Sequence, residues 1–357
     1  PQLFILDNII KDGTILADIH LNFDKKNKIK EDYLIKGFIK KTKFNFFDKY
    51  KIKKLNFEFN ITNDQYLLSQ IETELNNIKL FSTSIKIKQK NNFFSINGDF
   101  TNDDKNFKIN QLKPVTGNLF DNIDINNLEF SSKNNFSLDI SKKFKFKNLK
   151  LDSVINLKQA IINEKNIRIK NYLPNFTDVI KLKNHRIKIN FKKDQLVIDG
   201  NGDLFLSDNS EKISYVIEKD IKDLFFKAKM HIKKDPLNIN FLDYKKKDKL
   251  EAIISINGNQ KKNGVIKFQS ISLKENKNKI LFKDIELNKN FKIVDIGYID
   301  IDYKNDYNHH NKLSVKKNNS NFIIEGEYFD ATQLINNAMN EDEDSFIFHK
   351  LNTRVDI

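Results

Sequence analysis

The chain has no cysteine and no tryptophan, and only four prolines and ten glycines among 357 residues. Without cysteine there is no disulfide framework, no zinc–thiolate site and no thiol nucleophile. That absence suits an oxidising compartment and equally suits a codon-biased genome. No Pro/Gly/Ser-rich linker interrupts the chain, so a string of separate domains has no support in the sequence. No apolar run approaches the ~20 residues that cross a bilayer, and there is no leader of the basic, apolar, small-residue kind. The chain opens at Pro1 and stops at Ile357, directly after the strand-like run 351–357. It reads as a segment of a longer protein, with any membrane anchor outside it.

Catalytic patterns are missing as well. There is no G-x-S-x-G, no P-loop and no G-x-G-x-x-G opening a helix. The six histidines (His20, His185, His231, His309, His310 and His349) include no H-E-x-x-H spacing. His309 and His310 are adjacent in a polar stretch, and neighbours on a strand point to opposite faces. The run 199–203 is a partial match to an acidic calcium loop without the closing glutamate, so a turn or bulge is the simpler reading. The acidic run 341–345 reads as a solvated loop. The expectation is a non-enzyme with no catalytic residue, no metal and no cofactor.

The formal charge is +14. Lysines are spread along the chain and interleaved with Asp and Glu instead of forming one basic stripe, so nucleic acid is not an expected partner. Phe numbers 31, but most occupy the apolar phase of alternating runs. Stacking platforms need exposed aromatics flanked by basic residues.

The dominant signal is alternation with period two, the mark of strands with one buried and one wet face. Ile85 and Ile87 alternate with lysines, as do Ile187, Ile189 and Phe191. Phe226, Ala228, Met230 and Ile232 share one phase, and Leu250, Ala252, Ile254 and Ile256 share another. Similar runs occur at Phe136-Leu138-Ile140, at Phe144-Phe146 and at Ile299-Ile301-Tyr303. Asx-Gly signals at 97–99, 199–202, 257–259 and 262–264 predict hairpin turns or bulges, and Gly200 with Gly202 also reads as a β-bulge inside a long strand. At ~8–12 residues per strand this predicts an antiparallel meander of about 25–30 strands. Open sheets rarely exceed ~10 strands without curling or splitting. The predicted fold is therefore all-β: a long, twisted, curled antiparallel sheet forming an elongated groove over 1–357, with few short helices. One helix is expected near 330–340, with Asp330 as N-cap and Gln333 at the capping-box position. The run 65–81 fits both periods, and 218–226 reads as a helical turn or a loop entering a strand.

The stretch 321–340 resembles a recurrent element of the AsmA-like family, the YhdP/TamB-type bridge-like lipid-transfer proteins of bacterial envelopes. A strand ending at Gly326 is followed by Phe329, Asp330 and Ala331 and by an apolar helix with Leu334 and Ile335. The run 26–44, with Tyr33 and Gly37, is similar. The resemblance implies a periplasmic β-groove that carries phospholipid acyl chains between inner and outer membranes, tethered to the inner membrane by an N-terminal anchor outside this chain. It makes Ile85, Ile87, Ile187, Ile189, Phe191, Phe226, Ala228, Met230, Ile232, Leu250, Ala252, Ile254 and Ile256 the expected groove lining. A strand of ~8 residues spans ~26 Å, about the length of an extended lipid tail. The competing expectation is a structural envelope scaffold whose apolar face is filled by its own residues.

Overall fold

In the computed structural model of the protein, the described residues are 10–46, 50–116, 123–143, 145–164, 167–289, 292–319 and 321–339. The runs 341–345 and 351–357, with Phe144 and His349, lie outside them. Alternating Ile/Phe and Lys/Asn becomes strand almost throughout. The first strands are β1 (Ile10–His20), β2 (Leu34–Phe46), β3 (Tyr50–Ile61), β4 (Gln65–Leu75), β5 (Ile78–Lys90), β6 (Phe93–Phe107) and β7 (Asp124–Ser141). Next come β8 (Phe146–Asn163), β9 (Val179–Lys192), β10 (Gln195–Phe205), β11 (Glu211–Lys219) and β12 (Asp223–Ile232). A two-stranded ribbon, β13 (Asn238–Ile239) and β14 (Tyr244–Lys245), precedes β15 (Ala252–Lys261), β16 (Ile266–Glu275) and β17 (Asn278–Leu287). The last are β18 (Ile293–Asp295), β19 (Tyr298–Lys304), β20 (His310–Asn318) and β21 (Asn321–Tyr328).

Nineteen strands belong to one hydrogen-bonded sheet, and every pairing with a resolved register is antiparallel, from β1–β2 through β6–β7 and from β11–β12 through β20–β21. β1 pairs with β2 and β20 with β21, and among the described residues the sheet is not closed into a barrel. The all-β antiparallel expectation holds. The chain divides into two compact units, Pro1–Ala160 with Asn184–Leu196, and Ile161–Lys183 with Val197–Ile357.

The strands are fewer and longer than the turn signals predict, reaching 18 residues in β7 and β8. Asn97-Gly98-Asp99, Asp199-Gly200-Asn201-Gly202 and Asn257-Gly258-Asn259 all lie inside strands; of the four Asx-Gly sites only 262–264 is a turn. The site 199–202 sits within a long strand, as its second reading has it, and the ladder shifts register at Asn257/Gly258, where a bulge is the alternative to a turn. The glycines there make room rather than turns. A Cβ on Gly98, Gly200 or Gly258 would come within 3.1 Å, 2.4 Å or 2.6 Å of the ring of Phe136, Tyr215 or Phe226 on the next strand. An aromatic ring laid over a cross-strand glycine pins register. Asparagines also read as turn residues, but Asn127, Asn148 and Asn184 take left-handed φ inside β7, β8 and β9 and the strands run on. The ambiguous run 65–81 resolves into two strands. Asn76 and Asn77, at φ 49° and 68°, make the tight turn that joins them, as a two-residue hairpin requires. The segment 218–226 is the end of β11, a short loop and the start of β12.

The C-terminal helix is α3 (Thr332–Met339), and the Asp330 carboxylate accepts from the Thr332 backbone N–H at 3.1 Å. Two helices were not foreseen, α1 (Ile109–Thr116) and α2 (Ile167–Tyr172). The sequence of α2, IRIKNY, alternates like a strand. Ile169 and Leu173, four residues apart, pack on the buried Phe176, Leu204 and Leu206, and that packing overrides the local pattern.

Candidate functional site

Antiparallel pairing places directly opposed residues on the same face, so the register shows which predicted lining residues meet. In the first unit Ile87 lies between Tyr66 and Ile96, and Ile85 lies between Leu68 and Gly98. Ile96 and Gly98 in turn face Leu138 and Phe136. Ile187, Ile189 and Phe191 occupy alternate positions on β9. All of these are half-buried. Neighbours on the same sheet cover their flanks, and among the described residues of this unit no second layer forms a buried hydrophobic cluster over them. Both such clusters belong to the second unit.

Along the same face of β6 and β7 the apolar residues give way to a buried polar row. Asn134 donates to the Phe100 carbonyl at 3.0 Å and to Ser132 Oγ at 2.7 Å. Ser132 donates to Asn102, Ser153 donates to Asn134 Oδ1, and Asn102 donates to the carbonyls of Asp103 and Phe130 at 3.1 Å. These side chains satisfy one another, so the row sets strand register without offering free donors. Asn134→Ala, which orphans the Ser153 hydroxyl in a site only 6% exposed at Asn134, should lower stability by about 1–3 kcal/mol in urea denaturation. An unchanged midpoint would show that the row carries no stability.

The second unit assembles the other predicted residues. Ala228 faces Ile256, Met230 faces Ile254 and Ile232 faces Ala252. The same face continues through Leu273, Ile280, Ile301 and Leu313. Phe226, Ala228 and Ile256 are half-buried, whereas Ile232 and Ala252 are 0% exposed. Residues 233–251, which contain β13 and β14, cross this end of the face as a strap. The strap's Leu237, Leu242 and Tyr244 are buried against Ile232, Ala252, Leu273, Ile280, Ile301 and Tyr303, with Met230 and Ile254 packed alongside. Ile232 and Ala252 are therefore core residues capped by the chain itself, which corrects the open lining expected at that position. Leu250 precedes β15 and lies in the strap's exit, where its carbonyl accepts from Lys246 at 3.1 Å.

Three buried charges fix the strap. The Glu211 carboxylate accepts the backbone N–H groups of Lys233, Lys234 and Asp235 at 2.7–2.8 Å. Glu275 accepts from Lys247 N at 2.7 Å, the Tyr244 hydroxyl at 3.0 Å and Asn278 Nδ2 at 2.9 Å. The Lys246 ammonium donates to the carbonyls of Lys233, Lys247 and Leu250, which joins the strap's two roots. Burial pushes the Tyr244 and Tyr303 phenols far above their ordinary range, with Glu275 adding to the effect on Tyr244 and Asp243 and Asp330 to that on Tyr303. The sequence carried one usable hint of the strap. Nineteen residues separate β12 from β15, far more than a hairpin needs.

His310 Nε2 is 2.7 Å from Asp302, and His309 Nδ1 is 3.6 Å from Asp330. Among the described residues no three His, Cys, Asp or Glu side chains gather around a common point that could hold a metal ion. No family model, curated protein or solved structure matches the chain, and the likeness to AsmA-like proteins rests on the residues quoted for it above.

Proposed function

We propose that this chain holds phospholipid acyl chains against an uncovered apolar β-face, as one segment of a periplasmic AsmA-like carrier between the inner and outer membranes. One observation carries the reading: in the first unit Ile85, Ile87, Ile96, Ile187, Ile189 and Phe191 stay only partly buried, and among the described residues no buried hydrophobic cluster is assembled over them. Leaving hydrocarbon in water costs about 0.8 kcal/mol per CH₂, so such a face gains by covering guest methylenes. It needs no pocket and no catalytic group, because burial energy is non-directional and scales with area.

The structural-scaffold reading has the second unit in its favour, where the strap fills the space over the sheet with the chain's own side chains. The two readings differ in what a purified sample contains. Phospholipid should be recovered by mass spectrometry of a solvent extract, and Ile87→Glu with Ile189→Glu should remove most of it. Lys86→Glu, on the wet face of β5, should leave the load intact, and all variants should keep a β-sheet circular dichroism spectrum. Lipid-free protein, or equal lipid loss in the Lys86 variant, would favour the scaffold.

A further inference from the structure

The polar face of the first unit carries a feature that the acyl-chain reading does not use. Lys90, Lys150, Lys192 and Lys193 line a half-enclosed cavity of about 380 Å³. Its floor includes Ser137 and the cross-strand pair Ser95 and Asp139. These positions alternate with Phe94, Ile96, Leu138 and Ile140, so the cavity opens on the side opposite the apolar face.

Some lysines elsewhere have carboxylate partners, such as Lys54 with Glu74, Lys279 with Asp300 and Lys312 with Glu327. Among the described residues none of the four cavity lysines has one, and Lys90 has only the Phe93 ring, at 5.2 Å. The one acid in the lining, Asp139, accepts a hydrogen bond from Asn148 Nδ2 at 2.8 Å. Four ammonium groups and one carboxylate leave the cavity with a formal charge of +3. Like charges held within a Debye length repel one another, and a bound oxyanion removes that cost.

We infer that this cavity binds a phosphate ester. Lysine acts on phosphate as a point charge, not as a two-pronged fork, so four lysines favour a compact oxyanion of high charge over a monocarboxylate. The Ser95 and Ser137 hydroxyls add neutral donors beneath it, and the volume exceeds one phosphate, leaving room for a glycerol-sized substituent. Bilayer headgroups and soluble metabolites both present this chemistry, and the test separates them. The inference stands apart from the acyl-chain reading, since it uses the opposite face.

The test uses the full chain at low ionic strength, titrated with glycerol 1-phosphate by calorimetry and floated with vesicles of phosphatidylglycerol or phosphatidylcholine. The triple variant Lys150→Gln, Lys192→Gln, Lys193→Gln is compared with Lys227→Gln, Lys229→Gln, Lys274→Gln, which removes the same charge from the second unit. The cavity variant should bind at least about tenfold more weakly, while the control stays within about twofold. Saturable binding of the soluble ester identifies a free ligand, and loss of flotation on phosphatidylglycerol alone identifies a headgroup; each supports the site. Equal loss in the control, or binding of neither probe by the parent, overturns it. Lipid extracted from the same variants should be unchanged, so failure here and failure of the acyl-chain reading are separately visible.

Discussion

Replacing Glu275 by alanine should lower stability by about 2–4 kcal/mol and free the strap over the second unit. Glu275 is fully buried and is the acceptor for the Lys247 amide, the Tyr244 hydroxyl and the Asn278 side chain. A buried donor left without a partner costs about 1–3 kcal/mol, and here only the Tyr244 hydroxyl is fully buried, the Lys247 and Asn278 donors being partly open to water. Relief from desolvating the carboxylate returns part of the sum, which is why the estimate falls below three full penalties. Tyr244→Phe keeps the ring that packs on Tyr303 at 5.9 Å and removes only the hydroxyl, so it should cost about 1 kcal/mol. The strap also carries Lys245, Lys246, Lys247 and Lys249, all tryptic sites. Cleavage there should accelerate at least about tenfold in the Glu275 variant, because proteolysis follows the population of the open form. A freed strap uncovers Ile232, Ala252, Ile280 and Ile301, so on the acyl-chain reading this variant carries at least as much lipid as the parent. A urea midpoint shifted by less than about 0.5 kcal/mol equivalent would remove Glu275 from its role as the strap's anchor.

The period-two pattern was enough to place most strands and the phase of their apolar residues, because alternation is a local property of the backbone. Ile85 with Ile87, and Ala228 with Met230, fall on the faces their spacing predicts. What alternation cannot report is what lies over a face. Ile189 and Ile232 have the same sequence environment, an isoleucine between charged or polar neighbours. One stays partly exposed and the other is sealed, since only the second lies under residues 233–251. The turn signals misled for a related reason. Gly98, Gly200 and Gly258 are required by rings on the adjacent strand, a contact between residues 15 to 38 positions apart that no local rule contains. The buried Glu211, Glu275 and Lys246 read as surface charge in a chain where such residues are everywhere, and only their backbone partners show otherwise.

Alkaline pH should unfold the second unit steeply above about pH 10, with the slope set by buried phenols. Tyr244 and Tyr303 are each 1% exposed, and burial holds both in the neutral form well past their ordinary range. In the unfolded chain phenols ionise near pH 10. Between that pH and the raised folded values the native state binds more protons, so stability is complete below about pH 10 and falls as pH rises. Each such group contributes about 1.4 kcal/mol of loss per pH unit, near 3 kcal/mol per unit for the pair, a large part of the 5–15 kcal/mol that stabilises a typical domain. Half-buried Tyr215 shifts in the same direction, chiefly through burial, and adds less. Tyr303→Phe keeps the ring and loses the hydroxyl bond to the Leu242 carbonyl. It should cost about 1 kcal/mol at pH 8 and roughly halve the slope between pH 10 and 11, while lysine neutralisation acts equally on both proteins. Because the chain has no tryptophan, tyrosinate absorbance reads the transition directly: the buried phenols should ionise only as the urea-free protein loses its β-sheet circular dichroism. Identical slopes in the parent and the Tyr303 variant would mean that these phenols titrate freely in the folded state and that the strap is not the sealed layer described here.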